Sequence, residues 1–408
     1  MKILCFGSCN IDFVYSVNHI CKPGETISAA ELSLFPGGKG LNQAVALAKA
    51  GADVYFAGCI GNDGDFLKTI LTDSGVDVQY LRKINGKTGH AIIQVDRSSE
   101  NSIVIFSGAN GCVTKEHIDD VIKDFSAGDI MLIQNEISCL PYLLDVAGKL
   151  GMDIYFNPSP LNDQIKNVDL KHVRCLIVNE TEAMEMTGSK DPSVVQEFIK
   201  TNYPHLEVLL TLGKRGSVHI TKNQIMKQSA YKAQAVDTTA AGDSYTGYYL
   251  AGISQGASVK NAMDRASAAS AIAVSRKGAS SSIPTNKEVD AALAQMVHSS
   301  IVPKDRRELA EVYLMENFAH GSINGLSACL GYSASYTGSW LKENLGSSFT
   351  DLLYEQKCRI CAELLLTTDM PIGQIIHYVG CTNESFLRKK FKQHFGCTML
   401  PYRKRNVK

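Results

Sequence analysis

The segment DTTAAGD, residues 237–243, runs through small residues to an acid and leads into the apolar stretch SYTGYYLAG. A strand end, a small-residue turn and a helix start in that order present backbone N–H groups suited to phosphate oxygens, Gly242 among them. Asp243 then lies close enough to accept a proton from an attacking hydroxyl. An Asp at such a place also suits a helix N-cap, so base and cap both stand. FPGGKGLNQA, residues 35–44, sets Gly38 directly before a helix that begins at Lys39 and carries Asn42. Glycine admits close backbone approach and the N–H groups of a helix start favour oxygen-rich ligands, although a tight strand-to-helix turn explains the glycines equally well.

CNID, residues 9–12, ends the first strand-like run and places Asn10 and Asp12 on one side of an extended chain, where both could hydrogen-bond hydroxyls or form a turn. QNE, NPSP and VNETE follow later strand-like runs and bring Glu136, Asn179 and Glu182 to strand ends; NETE also reads as an ordinary helix N-terminus. In TLGKRGS, Thr211, Gly213 and Gly216 form a strand end and a Gly-x-x-Gly turn that could pass close to a nucleotide or make a plain hairpin. Singly, none of these decides anything. Polar residues recurring at the ends of successive strands are what a ligand cleft in an α/β sheet requires.

Those strand ends imply the elements that carry them. KILCFGS, DVYFAGCIG, DIMLIQN, DIYFNPS, RCLIVN and EVLLTLG alternate with helix-like segments such as KGLNQAVALAKAG, which predicts an α/β domain around a mostly parallel sheet. TGHAIIQVDRSSENSIVIFSGAN and the piece after Asn10 read as added antiparallel strands, a small β lid. Ser, Pro and charge accumulate in SSSIPTNKEVD and HSSIVPKDRR, and no strand pattern follows. The expected organisation is a first domain over 1–297, a linker over 298–304 and an all-α domain over 305–408.

At 408 residues, 45% apolar and 20% charged, the chain has the composition of a globular protein of at least two domains. No apolar run approaches the roughly 18–20 residues a bilayer requires, and Asp12 interrupts the opening where a signal peptide would stay apolar. The expectation is a cytoplasmic protein with no membrane partner. The 12 Cys lack the spacing of a disulfide scaffold and read as reduced thiols. Net charge is zero overall, yet residues 302–408 hold 14 Lys and Arg against 10 Asp and Glu. That basic excess favours a polyanionic partner for the C-terminal part.

In combination, CNID, GGKGLNQA, NETE, TLGKRG and DTTAAGDSYTGYYLAG followed by AIAVSRKGAS resemble, in order and spacing, the PfkB-type sugar kinases, ribokinase above all, over about residues 1–295. The resemblance implies a ribokinase-like three-layer α/β fold and ATP-dependent phosphorylation of a sugar hydroxyl, with D-ribose to ribose 5-phosphate the expected reaction. It assigns Asn10, Asp12, Gly38, Lys39, Asn42 and Glu136 to the sugar and Asp243 to the role of base. Asn179, Glu182, Thr211, Gly213, Gly216, Gly242 and Ser267 fall to ATP and Mg²⁺. A monovalent cation, usually potassium, is implied at Asp237, Thr239, Ala273, Arg276, Gly278 and Ser282. Two positions depart from the pattern: Ala240, where Gly is common, and Ser267, where Asn or His is expected near the adenine. A homodimer is expected. A kinase for another sugar, or a sugar sensor without turnover, are the alternative readings.

LSACLGYSASYTGSWLKENLG and IGQIIHYVGCTNESFLRKKFKQHFG each read as a helix-turn-helix, with Gly331 and Gly380 near the turns. Over about residues 305–405 the region resembles the AraC-type DNA-binding domain, departing from it at Cys381 and Arg388. The resemblance implies double-stranded DNA as partner, read by Ser335, Ser339 and Lys342 on the first recognition helix and by Asn383, Glu384, Arg388 and Lys389 on the second. Tyr336, Trp340, Phe386 and Phe391 read as core at helical spacing. Cys358 and Cys361 form a lone C-x-x-C with no second pair to complete a metal site, and both match core-facing places in the helix between the two motifs.

Overall fold

All four residues of the first strand, β1 (Ile3–Phe6), are buried, as an unbroken apolar run in the middle of a parallel sheet should be. The computed structural model describes residues 1–98, 100–162, 165, 168–295, 306–367, 370–381 and 383–404. The chain divides into two compact units, Met1–Ser299 and Ser300–Lys408. The predicted linker, 298–304, lies outside the described residues.

In the first unit the chain runs through β2 (Asn10–Ser16), β3 (Glu31–Gly37), α1 (Lys39–Lys49), β4 (Val54–Ile60), α2 (Asp65–Asp73), β5 (Asp77–Lys83), β6 (Gly89–Val95) and β7 (Asn101–Phe106). It continues through α3 (Lys115–Ile122), β8 (Ile130–Gln134), α4 (Leu140–Leu150), β9 (Asp153–Asn157), β10 (Val173–Asn179), α5 (Glu180–Thr187) and α6 (Pro192–Asn202). β11 (Glu207–Thr211), β12 (Ser217–Ile220), β13 (Ile225–Gln228), α7 (Ala241–Ser254), α8 (Val259–Val274) and α9 (Asn286–Gln295) complete it. Nine strands form one sheet in the order β13-β12-β11-β10-β9-β8-β1-β4-β5, parallel throughout except for β12 and β13 at one edge. The alternation of side chains along β1 divides the core in two. Ile3 and Cys5 join residues of α1, α2, α7, α8 and α9, while Leu4 and Phe6 join residues of α3, α4, α5 and α6. Helices therefore cover both faces, which is the expected three-layer fold.

The remaining four strands make the small sheet β3-β2-β6-β7. Its two outer pairs are antiparallel as expected, but β2 and β6 are joined in parallel, Asn10 opposite Gly89 through Ser16 opposite Val95. The reason is topological: β2 continues outward from β1, and β6 begins a few residues after β5, a strand parallel to β4. Asn10 and Asp12 accordingly lie on β2 of the small sheet and not on the end of β1, because the chain leaves the large sheet at Gly7–Cys9.

The second unit is all-helical: α10 (Arg306–Glu316), α11 (Ile323–Leu330), α12 (Ala334–Leu345), α13 (Phe349–Thr367), α14 (Ile372–Tyr378), α15 (Glu384–Phe395) and α16 (Met399–Lys404). α11 and α12 turn through Gly331 at φ 71°, and α14 and α15 turn at Gly380 at φ 61°, both left-handed conformations that glycine adopts without strain. Each helix pair has its own core: Ala310, Leu326, Leu330 and Leu341 on one side of α13, and Cys358, Cys361, Ile375, Leu387 and Phe391 on the other. Cys358 and Cys361 are core thiols with pKa pushed up to about 12 by burial, the form least suited to ligate metal.

Candidate functional site

α7 starts at Ala241 with no side-chain cap, and Asp243 sits two residues further along its first turn. The cap reading falls, because the N-cap position is Ala240 and the buried Asp243 carboxylate points to another helix. Asn42 Nδ2 donates to Asp243 Oδ2 at 3.1 Å and Gln43 Nε2 donates to Oδ1 at 2.9 Å. α1 can present both amides because its glycines bring its start hard against the turn after β1. A side chain at Gly40 would collide with the Gly7–Ser8 backbone, and one at Gly38, which has φ 93°, would meet Ser8 O at 2.9 Å.

The same packing builds an acidic cluster. Ser8 Oγ donates to Glu136 Oε2, which also accepts from the Lys39 backbone N–H at 3.1 Å. Burial raises the Glu136 pKa against the Ser8 hydrogen bond and the Lys39 charge. Asp12 packs against Gly37, where a side chain would displace it, and its pKa is pushed up to about 6 by burial first and by Glu136 second. Burial opposes the Lys39 charge, but Asp243, Glu136 and Glu182 outweigh burial and raise its pKa. Asn10 is buried, its Oδ1 accepting from Asn110 Nδ2 at 2.7 Å. Asn42 Oδ1 is buried without a protein partner, an acceptor left over for a ligand's hydroxyl. Asn10, Asp12, Gly38, Lys39, Asn42, Glu136 and Asp243 are thus drawn together by α1, β2 and the ends of β1 and β8.

The other predicted residues are placed less uniformly. Asn179 and Glu182 form a full capping box at the start of α5: Glu182 N donates to Asn179 Oδ1 at 2.9 Å and Asn179 N to Glu182 Oε2 at 3.0 Å. Thr211 ends β11, and Gly213 and Gly216, at φ 56° and 95°, shape the turn into the antiparallel strand β12. The plain-hairpin reading of TLGKRGS therefore describes its backbone. At Gly213 and Gly242 nothing lies within 4 Å of where a side chain would begin, so both glycines border open space. Ser267 is buried in α8 beside the Tyr245 hydroxyl.

Asp237 binds its own neighbourhood together, accepting from Thr239 N at 2.9 Å and Gly278 N at 3.0 Å. Burial acts against its charge, but these hydrogen bonds prevail and lower its pKa. Ala273 and Ser282 are fully buried, Ser282 Oγ donating to Ala279 O at 2.8 Å, and Arg276 pairs with Glu288 at 2.6 Å. Among the described residues no group of three or more His, Cys, Asp or Glu could hold a metal ion. Side-chain carboxylates alone therefore do not build a magnesium cage. The arrangement fits an ion that arrives with nucleotide phosphates and takes one or two protein oxygens, and the open, uncapped start of α7 fits the phosphates.

In the second unit Ser335, Ser339 and Lys342 are exposed on α12, and Glu384, Arg388 and Lys389 on α15. Asn383 is the N-cap of α15, its Oδ1 accepting from Phe386 N at 3.1 Å, and Glu384 pairs with Arg388 at 3.4 Å. Tyr336 is not core: 54% of it is exposed, and Thr337 and Leu341 take the buried stripe, one residue along from the predicted Tyr336 and Trp340. Trp340 and Phe386 are half-buried, and Phe391 is buried as expected. Lys357 is 4% exposed and donates to Gly380 O at 2.6 Å and Ala319 O at 3.3 Å, a clamp on the second turn that the pattern KCRIC gave no hint of. Ser8, Gln43, Asn110, Gln134 and Asn157 are further cleft residues not singled out from the sequence; all five stand inside quoted segments, which was the available signal.

A buried carboxylate in the first turn of an open, uncapped helix, beside a lysine and an acidic polar cluster, defines a phosphoryl-transfer cleft in an α/β domain. The chain belongs to the pfkB family of carbohydrate kinases, whose profile matches residues 1–286. It is a ribokinase-like, ATP-dependent sugar kinase that carries an AraC-type helix-turn-helix domain, the helix-turn-helix profile matching residues 326–405. Ribokinase of Haemophilus influenzae is 36% identical over 294 residues, 69% of this chain and 95% of the relative. Ribokinase from Cryptococcus neoformans, solved in complex with ADP, gives a TM-score of 0.63 at 33% identity over 71% of this chain and 99% of its own. Arabidopsis thaliana ribokinase, solved with ribose and ATP, gives 0.64 at 29% identity over 72% and 98%.

Proposed function

We propose that the first unit transfers the γ-phosphoryl group of ATP to the C5 hydroxyl of D-ribose, giving ribose 5-phosphate, and that the second binds double-stranded DNA sequence-specifically to regulate transcription. The observation that carries the first half is the Asp243 carboxylate, buried, aimed by Asn42 and Gln43 and placed beside the uncapped start of α7. Asn10, Asp12, Lys39, Asn42 and Glu136 orient the sugar by hydrogen bonds to its hydroxyls. Asp243 takes the proton of the attacking hydroxyl. The backbone N–H groups of Gly242 and Asp243 face the phosphoryl oxygens, where they stabilise charge without reorganising. Asn179, Glu182, Thr211, Gly213, Gly216 and Ser267 belong to the nucleotide side. Mg²⁺, when bound, neutralises phosphate charge, and K⁺ belongs to the loops stitched by Asp237.

The two functions are assigned to domains over 1–297 and 305–408, the bounds expected from the sequence, with the linker 298–304 between them. No helix among the described residues is long and apolar enough to cross a membrane, and a cytoplasmic setting accords with ATP and DNA as partners. The small sheet supports a homodimer: Leu34, Ile103, Val104, Ile105 and Phe106 are each more than half exposed, so both of its faces call for cover, one by substrate and one by a second copy. A panel of sugars assayed for ADP production with and without potassium tests substrate and cation together. Asp243→Asn should keep sugar binding and lose about 10²–10⁴-fold in kcat; near-wild-type turnover in that variant would refute the role of Asp243. A wild-type chain that binds D-ribose but turns over no sugar would identify a sensor instead.

A further inference from the structure

Behind Asp243 lies a run of buried amides, of which the reaction as described uses only the donor that Gln43 turns to the carboxylate. Gln43, Gln134 and Asn157 come from α1, β8 and β9, and are exposed by 1%, 0% and 7%. Asn157 Nδ2 donates to Ile177 O, on β10, at 2.9 Å. A backbone carbonyl only accepts, so Asn157 is obliged to turn its nitrogen to Ile177 and its oxygen to Gln43. Gln43 must then answer with Nε2, and does so at 3.2 Å. The second hydrogen of that nitrogen goes to Asp243 Oδ1 at 2.9 Å, and Gln43 Oε1 accepts from Gln134 Nε2 at 2.6 Å. Every hydrogen-bonding atom of the Gln43 amide is committed, and its polarity is dictated from a strand two steps away.

We infer that Gln43 is a positioning residue for phosphoryl transfer: the Ile177 carbonyl, acting through Asn157, forces Gln43 to offer a donor to Asp243 and so holds that carboxylate ionised and aimed. An amide without that constraint can turn Oε1 to Asp243, and two facing acceptors repel unless a proton lies between them. The locked polarity removes that alternative. The other charged or titratable groups acting on Asp243 are Lys39 at the start of α1, Glu136 beyond β8 and Cys5 on β1, and none of them contacts Gln43 by a hydrogen bond. The inference rests on Asp243 as base, and the variants below separate the two.

The test is the pH profile of kcat/KM, measured on the full-length chain with ATP and D-ribose, or with the panel sugar that replaces it. Gln43→Met keeps the volume and removes the donor: the acid limb should rise by about one pH unit and kcat should fall at least tenfold, with sugar affinity held within about threefold. Gln43→Glu keeps the shape and sets a second carboxyl against Asp243, so its acid limb should rise further; it also serves if the Met variant fails to fold. Gln134→Met removes an equally buried member of the network but leaves the Ile177–Asn157–Gln43 polarity in place, so its acid limb should stay within about 0.3 unit of wild type. An unmoved acid limb in Gln43→Glu, or an equal movement in Gln134→Met, overturns the inference. Near-wild-type turnover in Asp243→Asn would instead refute the base, independently of Gln43.

Discussion

Replacing Asp12 by Asn should make the protein more stable and a poorer binder of sugar, and the pH dependence of the gain follows from the structure. Asp12 is half-buried between Gly37 and the Glu136 carboxylate, with its pKa pushed from 3.8 up to about 6 by burial first and Glu136 second. The fold therefore prefers the protonated form of this acid. Below about pH 4 the group is neutral in both states and costs nothing; between about 4 and 6 the unfolded state ionises while the folded state holds its proton, so the penalty grows over that window and levels off above it. A shift of about two units corresponds to at most about 3 kcal/mol on the plateau above pH 7. Between pH 5 and pH 8 the loss amounts to about 1.4 kcal/mol. The amide has no such term. Melting of wild type and Asp12→Asn at the two pH values should show their difference widening by that amount, roughly 2–4 °C for the transition of the first unit. Sugar affinity, read by calorimetry at pH 8, should fall at least tenfold, since a carboxylate acceptor is worth about 1.5–3 kcal/mol to a hydroxyl. Parallel stability curves for the two proteins, or a variant no more stable than wild type at pH 8, would refute the reasoning.

Three further outcomes are expected. Ala240 holds φ 58°, a conformation that costs a non-glycine residue about 1–2 kcal/mol, part of which glycine returns through its more flexible unfolded state; Ala240→Gly should raise stability by about 0.5–1 kcal/mol with kcat within threefold, checked by melting and steady-state kinetics. Lys357→Met takes the donor from the half-buried Gly380 and Ala319 carbonyls, and should destabilise the second unit by about 1–3 kcal/mol in denaturant unfolding. Tyr336 is exposed on α12 between Ser335 and Ser339, so Tyr336→Ala should change the sequence preference recovered from a random duplex pool while leaving the salt slope of binding intact. Lys389→Ala should reduce that slope by about one and leave the preference in place.

How far the sequence carries depended on the range of the interaction concerned. The glycines at 37 and 38 were legible because a strand-to-helix turn is local, and their purpose became visible only with Asp12 and Ser8 packed against them. NETE was legible as a capping box for the same reason, its partners being three residues apart. Gln43 contacts Asp243 across 200 positions of chain, and no periodicity encodes a contact of that kind. Tyr336 was misplaced by one residue of phase: on a helix of this length an aromatic and the small Thr337 compete for the core stripe, and the close approach of α11, marked by the Ser327 Oγ to Thr337 Oγ1 hydrogen bond at 2.9 Å, admits only the smaller. The left-handed Ala240 was invisible because its backbone angle is imposed by the loop around it.

The cleft's charges and amides act in the same direction. Three carboxylates, Asp12, Glu136 and Asp243, surround one half-buried lysine, so the cluster carries an excess of negative charge; burial first, and a neighbouring carboxylate after it, raise the pKa of Asp12 and of Glu136. Such a site favours a neutral polyhydroxyl, which satisfies acceptors without adding charge, over a sugar already phosphorylated. Asp12 and Glu136 are pushed toward protonation, whereas Asp243 has both oxygens occupied by amide donors whose orientation it does not control. In the proposed reaction the base is thus the acid given fixed donors, and the two acids proposed to accept sugar hydroxyls are left to share the cost of crowding.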